Sequence, residues 1–211
     1  MTDPHYARRW LEQQMNVSRE TFQALEEYVA LLRKWTGRIN LVSKASLNEL
    51  WKRHIIDSAQ IFMLSDATEG HWVDIGTGGG FPGVVVAILA RNDAPRLRFT
   101  LVESDVRKSV FLRTVSQNLQ LNADVQPKRI EHIAPLNADI LSARALAPLS
   151  RLLEYAQRHL SAHGTALFPK GASYRHEIRE ALENWRFRRD EYPSRTEPSA
   201  VILKLGDIRR V

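Results

Sequence analysis

The chain has 211 residues, 44% of them apolar, and 30 basic against 24 acidic side chains give a net charge of +6. That length suits one domain with an appended segment and can bury a real core, and the scattered charge argues against disorder. No apolar run approaches the roughly 20 residues of a membrane span, and the absence of cysteine excludes disulfides, thiolate metal sites and the cysteine-adduct route to pyrimidine C5.

Taken in order, Met1-Thr2-Asp3-Pro4-His5-Tyr6 lacks a basic stretch followed by an apolar one. No secretory signal is expected, and the cytoplasm is the expected location. Residues 4–15 suit a short helix with Tyr6, Trp10 and Leu11 on its apolar side. Ser18 can cap the next helix, where Phe22, Leu25, Val29 and Leu32 recur at helical spacing. Ser46-x-x-Glu49 reads as a capping box opening a third helix, with Leu50, Trp51, His54, Ile55, Ser58, Ile61 and Phe62 on one face. Residues 1–70 therefore form an expected helical cap. Its stretch from 33 to 53 carries Arg33, Lys34, Arg38, Lys44, Lys52 and Arg53 against Glu49 alone. Such a patch suits a nucleic acid, although ordinary solubilising charge accounts for the net balance equally well.

From residue 71 the rhythm changes to alternating strands and helices, an α/β pattern. Strands are expected at 71–75, 97–103, 124–126, 140–143 and 165–168, and a closing antiparallel pair at 185–192 and 200–205. Helices are expected between them at 82–91, 105–119, 149–160 and 173–184, with Val106, Val110, Phe111, Val115 and Leu119 as the buried side of the second. The inserted antiparallel last strand matches the seven-stranded sheet of class I, Rossmann-like methyltransferases better than an ordinary nucleotide-binding sheet.

The first strand runs into Asp74-Ile75-Gly76-Thr77-Gly78-Gly79-Gly80-Phe81-Pro82-Gly83. Strand, glycine turn and helix make a ligand loop at the switch point of such a sheet. Gly78-x-Gly80-x-x-Gly83 fits the dinucleotide pattern. Asp74-x-Gly76-x-Gly78-x-Gly80 fits that of S-adenosylmethionine (SAM) methyltransferases, and the acid before the first glycine favours SAM because it can meet a cationic amino-acid group. Glu103, at the tip of the second strand, is placed to reach ribose hydroxyls. Arg144, ending the fourth strand, offers a rigid donor fork to a carboxylate, a phosphate or a base edge, or to a structural ion pair. Arg53 and Asp57 stand four apart on the third helix, beside His54 and Ser58. They suit RNA contact, or simply a surface ion pair with a satisfied histidine. No histidine pair has metal-ligand spacing, and no nucleophile elbow is present.

Several segments together carry a resemblance: Trp35 with Asn40-Leu41-Val42-Ser43, Arg53-His54-Ile55-x-Asp57-Ser58, the glycine loop, Glu103-Ser104-x-x-x-Lys108, Ala143-Arg144-Ala145 and Lys170-Gly171. In this order they resemble the bacterial 16S rRNA guanine-N7 methyltransferases, also known as the glucose-inhibited division protein B family. Val42 stands where threonine is common and Glu103 where aspartate may stand. The resemblance implies SAM as cofactor, met at Asp74, Gly76, Gly78, Phe81, Glu103, Ile130, Glu131 and Arg144. It implies a guanine around nucleotide 527 of 16S rRNA as substrate, naked or in the 30S subunit, ordered by Arg53, His54, Asp57 and Lys170. Arg144 and Lys170 are the candidate residues nearest the chemistry. No metal, no membrane and no obligate partner are implied, and a monomer is expected. The rivals are a dinucleotide oxidoreductase, an RNA-binding assembly factor without turnover and a small-molecule methyltransferase.

Overall fold

Strands rich in Val, Ile and Leu on both faces need cover on both faces, and the chain supplies it by crossing over after each one. The computed structural model describes residues 4–211. Residues 1–3, on which part of the expectation about a secretory signal rests, lie outside them. Seven strands form one sheet: β1 (Glu69–Ile75), β2 (Arg96–Val102), β3 (Ala123–Gln126), β4 (Ala138–Ala143), β5 (Leu160–Lys170), β6 (Trp185–Pro193) and β7 (Val201–Arg210). Their order is β3-β2-β1-β4-β5-β7-β6, with β7 antiparallel to both neighbours and the first five strands parallel. The chain winds outward from β1 to β3 and then jumps back across β1 to β4. The carboxyl ends of β1 and β4 therefore open onto a crevice, the ligand position of such sheets.

The helices are α1 (Pro4–Met15), α2 (Arg19–Thr36), α3 (Lys44–Leu47), α4 (Asp57–Ser65), α5 (Gly83–Asp93), α6 (Val106–Asn118), α7 (Leu149–His159) and α8 (Tyr174–Leu182). On one face Trp72, Phe99 and Leu101 of the sheet pack with α5, α6 and the helices before β1 in one continuous core. On the other, Val73, Ile75, Leu141 and Phe168 pack with α7 and α8. The cap shares its core with the sheet, so Leu25, Tyr28, Leu32 and Ile55 are buried in the same cluster as Val84 and Ile88.

Three sequence expectations are corrected. Ser43, not Ser46, caps the short α3, because its hydroxyl accepts the Ser46 N–H at 3.1 Å; the Ser46-x-x-Glu49 box does not form. The third helix instead opens with a widened π-type turn, Trp51–Ile56, running into α4. Val106 and Val110 on α6 are 66% and 44% exposed, because the buried face runs through Ser109, Leu112 and Ser116 with Phe111 and Val115. Serines carry no apolar signal. The last two strands also extend further than their apolar cores, to Pro193 and Arg210.

Candidate active site

The glycine loop follows from β1. Asp74 is fully buried, and its side chain ties three elements together. Oδ2 accepts the Gly83 N–H at 3.0 Å at the start of α5. Oδ1 accepts the Ser142 hydroxyl at 2.7 Å, and Ser142 in turn accepts Trp72 Nε1–H at 2.8 Å. Gly83 has no alternative here, since an added Cβ would come within 2.8 Å of Asp74 and Leu101 side-chain atoms. Both carboxylate oxygens being engaged in the interior, Asp74 holds the loop and does not present a charge to a ligand. The expected contact with a cationic group would have to reach oxygens that already accept the Gly83 N–H and the Ser142 hydroxyl. Burial raises its pKa to about 6, against the opposing pull of its hydrogen bonds.

Gly76 and Gly78 form a floor shared by two cavities. The larger, about 610 Å³, is walled by Arg53, His54, Asp57, Phe81, Arg144 and Lys170, with Thr196 and Glu197 from the β6–β7 connection. The smaller, about 430 Å³, is walled by Glu103, Lys108, Ile130, Glu131, Leu146 and Tyr155. Gly76, Gly78 and Ala145 line both. At Gly78, φ is +59°, and an added Cβ would meet only the Gly76 carbonyl at 3.7 Å, so its hydrogen side faces open space. Glu103 braces the floor: Oε2 accepts the Gly78 N–H at 2.9 Å and Oε1 the Asp105 N–H at 2.8 Å. From the cap, buried Tyr28 donates its hydroxyl to the Gly79 carbonyl at 2.6 Å.

Phe81 is the hub of the larger cavity. The His54 ring stacks on it at 4.6 Å, the Arg144 guanidinium lies over it at 5.0 Å, and Tyr28 tilts against it at 5.6 Å. Arg144 also donates to the Arg53 carbonyl at 3.2 Å. The π-type turn and the segment between β6 and β7 are clasped together. Arg53 sits between Glu49 at 3.1 Å and Glu197 at 3.4 Å, and Asp57 accepts the hydroxyls of Thr196 and Ser194. Gln60 completes the clasp, donating to the Pro193 carbonyl at 2.8 Å and accepting the Arg195 N–H at 3.0 Å.

Apart from Asp74, the predicted residues line the two cavities, and among those Lys170 is redirected. Lys170 lines the larger cavity, but its ammonium pairs with Glu177 at 2.5 Å and donates to the Ala147 carbonyl at 3.1 Å. It is committed to linking the end of β5 to α8 and the segment after β4. Glu131 accepts the Tyr155 hydroxyl at 2.5 Å, which holds its carboxyl below the usual range. Sequence reasoning misses Tyr28, Ser142, Tyr155, Thr196 and Glu197. Tyr28 alone leaves a signal, a phenol in an apolar stripe that needs a partner when buried. Among the described residues no group of three His, Cys, Asp or Glu side chains could hold a metal, and no helix is long and apolar enough to cross a membrane.

His54 is 9% exposed, and neither ring nitrogen has a hydrogen-bond partner. Burial lowers its pKa from 6.5 to about 3, with Arg144 and Arg53 adding to the effect. The unfolded chain therefore binds the proton first, and stability falls as pH drops from 6.5 toward 3, by up to about 1.4 kcal/mol per pH unit. Replacing the ring by an apolar side chain removes both the unpaired nitrogens and this pH dependence. His54→Leu is expected to raise the free energy of unfolding by about 1 kcal/mol near neutrality and by more at acid pH, while lowering activity. Urea titrations at several pH values check it; a variant less stable than wild type at acid pH refutes it.

The family model described as rRNA small subunit methyltransferase G matches residues 21–198. The chain is 53% identical over 198 residues to the ribosomal RNA small subunit methyltransferase G of Ruegeria pomeroyi, covering 93% of this chain and 96% of the relative. It is 44% identical to that of Paracoccus denitrificans, covering 92% and 99%. Among solved structures, the O-methyltransferase from Bacillus cereus in complex with SAH matches with a TM-score of 0.61 at 12% identity, covering 94% of this chain and 96% of that one. A SAM-dependent methyltransferase from Aquifex aeolicus matches with a TM-score of 0.58 at 12% identity, covering 84% and 96%. These last two likenesses concern the fold.

Proposed function

The chain belongs to the family of the rRNA small subunit methyltransferase G, and from that premise we propose that it methylates N7 of a guanine in 16S rRNA with SAM, in the cytoplasm and as a monomer. The observation that carries the reading is the pair of cavities meeting over Gly76 and Gly78. A long ligand with a nucleoside at one end and an amino acid at the other suits that shared floor. Glu103, Ile130 and Glu131 would take the nucleoside side, and Gly76, Gly78, Phe81 and Arg144 the side facing the larger cavity. SAM supplies an electrophilic methyl group on a sulfonium.

The work left to the protein is placement. Guanine N7 carries a free lone pair and no proton, so direct in-line displacement needs no general base, and rate comes mainly from orientation and proximity. The residues after β4, Arg144-Ala145-Leu146-Ala147-Pro148, contain no N-P-P-Y-type tetrapeptide for an exocyclic amine. Arg53, His54 and Asp57 would order the RNA side. Lys170 would act only by holding the rim, since its charge is spent on Glu177. An unpaired or splayed-out guanine fits such a cavity better than one in a closed duplex.

The test is transfer of labelled methyl from SAM to naked 16S rRNA, free 30S subunits and free guanosine. Label is expected on RNA, at a single guanine cleaved by borohydride and aniline. Label only on a small molecule or a protein overturns the reading.

A further inference from the structure

The carboxylates walling the larger cavity are not equivalent. Glu177 spends Oε2 on Lys170 and the Leu149 N–H, and Oε1 on the Ser173 hydroxyl. Glu197 spends Oε2 on Arg53 and Oε1 on the Ser199 hydroxyl. Asp57 differs. Its Oδ1 accepts the Thr196 hydroxyl and, at 3.4 Å, that of Ser194, while Oδ2 has no hydrogen-bond partner among the described residues. The side chain lines the cavity, is half-buried and is anchored at one oxygen, which leaves the other with acceptor capacity. Burial raises its pKa above the usual carboxylate value, and the Thr196 and Ser194 hydroxyls with Arg144 and Arg53 oppose that rise.

We propose that Asp57 Oδ2 accepts a hydrogen bond from the exocyclic N2 amino group of the target guanine, making Asp57 a specificity-determining residue. This rests on the proposed guanine-N7 activity. With N7 turned to the glycine floor, N2 is the polar group at the opposite end of the base, and it reaches furthest toward the wall. Adenine has no amino group at that position, and in the filled cavity it would shut the Asp57 oxygen away from water without giving it a partner. A site built to bond a polar group rejects analogues lacking it far better than a site that only fits shape.

The test compares 16S rRNA carrying guanine with the same RNA carrying inosine, which lacks only N2, at the methylated position. The wild-type protein is expected to prefer guanine in kcat/KM by about 10- to 100-fold. Asp57→Ala is expected to methylate both slowly and at nearly equal rates. A purely structural Asp57 would slow both and leave the ratio intact, so a variant that keeps the preference overturns the assignment. So does a wild-type protein that treats the two RNAs alike, a measurement that needs no variant to fold. If unmodified RNA gains no methyl at guanine N7, the proposed activity itself fails, and the role of Asp57 with it.

Discussion

Gly78→Asp is expected to weaken SAM binding by at least about 100-fold, roughly 2.7 kcal/mol, while the protein stays folded. Among the described residues an added Cβ would meet only the Gly76 carbonyl, at an ordinary contact distance of 3.7 Å. Aspartate tolerates the left-handed backbone better than most residues, so the cost to stability should stay within about 2 kcal/mol. The damage is done to the ligand. The carboxylate would stand in the opening that joins the two cavities, and its charge would face Glu103, which already accepts the Gly78 N–H. Calorimetric titration with SAM, alongside a urea melt, separates the two effects. Affinity retained within a few-fold would show that the ligand does not cross this floor.

Asp74→Ala is expected to act on the fold itself, lowering the free energy of unfolding by about 3 kcal/mol. It leaves the Gly83 N–H and the Ser142 hydroxyl without acceptors in the interior, and with them the link from Trp72 to α5. Asp74→Asn should cost less. Its carbonyl can take the Gly83 N–H, and its amide can donate to Ser142, whose oxygen has lone pairs for a second donor. The pH dependence identifies the group. A carboxyl whose folded pKa is raised from 3.8 to about 6 contributes stability below 3.8 and loses it as pH rises through 6. The asparagine has no such dependence, so the gap between wild type and Asp74→Asn should narrow between about pH 4 and about pH 7. A gap that widens over that range would contradict the raised pKa of the buried Asp74 carboxyl.

What is legible in the chain is what repeats or what glycine punctuates. The βα rhythm after residue 70, the late antiparallel pair and the loop from Gly76 to Gly83 all come from local preference, and the sheet order follows. Pairings between distant residues leave no such trace. Asp74 reads as a ligand group because an acid before a glycine loop has two uses, and only the positions of Gly83 and Ser142 decide between them. Lys170 reads as a free cation because nothing in Lys170-Gly171 announces Glu177 on the next helix. The residues proposed for the RNA side are legible as a cluster, Arg53-His54-x-x-Asp57, but the partners of Asp57 and Arg53, Thr196 and Glu197, lie far along the chain in a segment with no pattern of its own.

That clasp between Asp57, Gln60 and the segment joining β6 to β7 has a consequence for the order in which the protein becomes competent. Synthesis runs from the first residue to the last, and elements can settle as they emerge. The floor proposed for the cofactor, from β1 through β4, is complete in the first two-thirds of the chain. The wall that fixes Asp57 arrives only with Ser194, Thr196 and Glu197. On the proposed reading, a nascent chain would acquire the place for its methyl donor before it acquires the shape that chooses an acceptor.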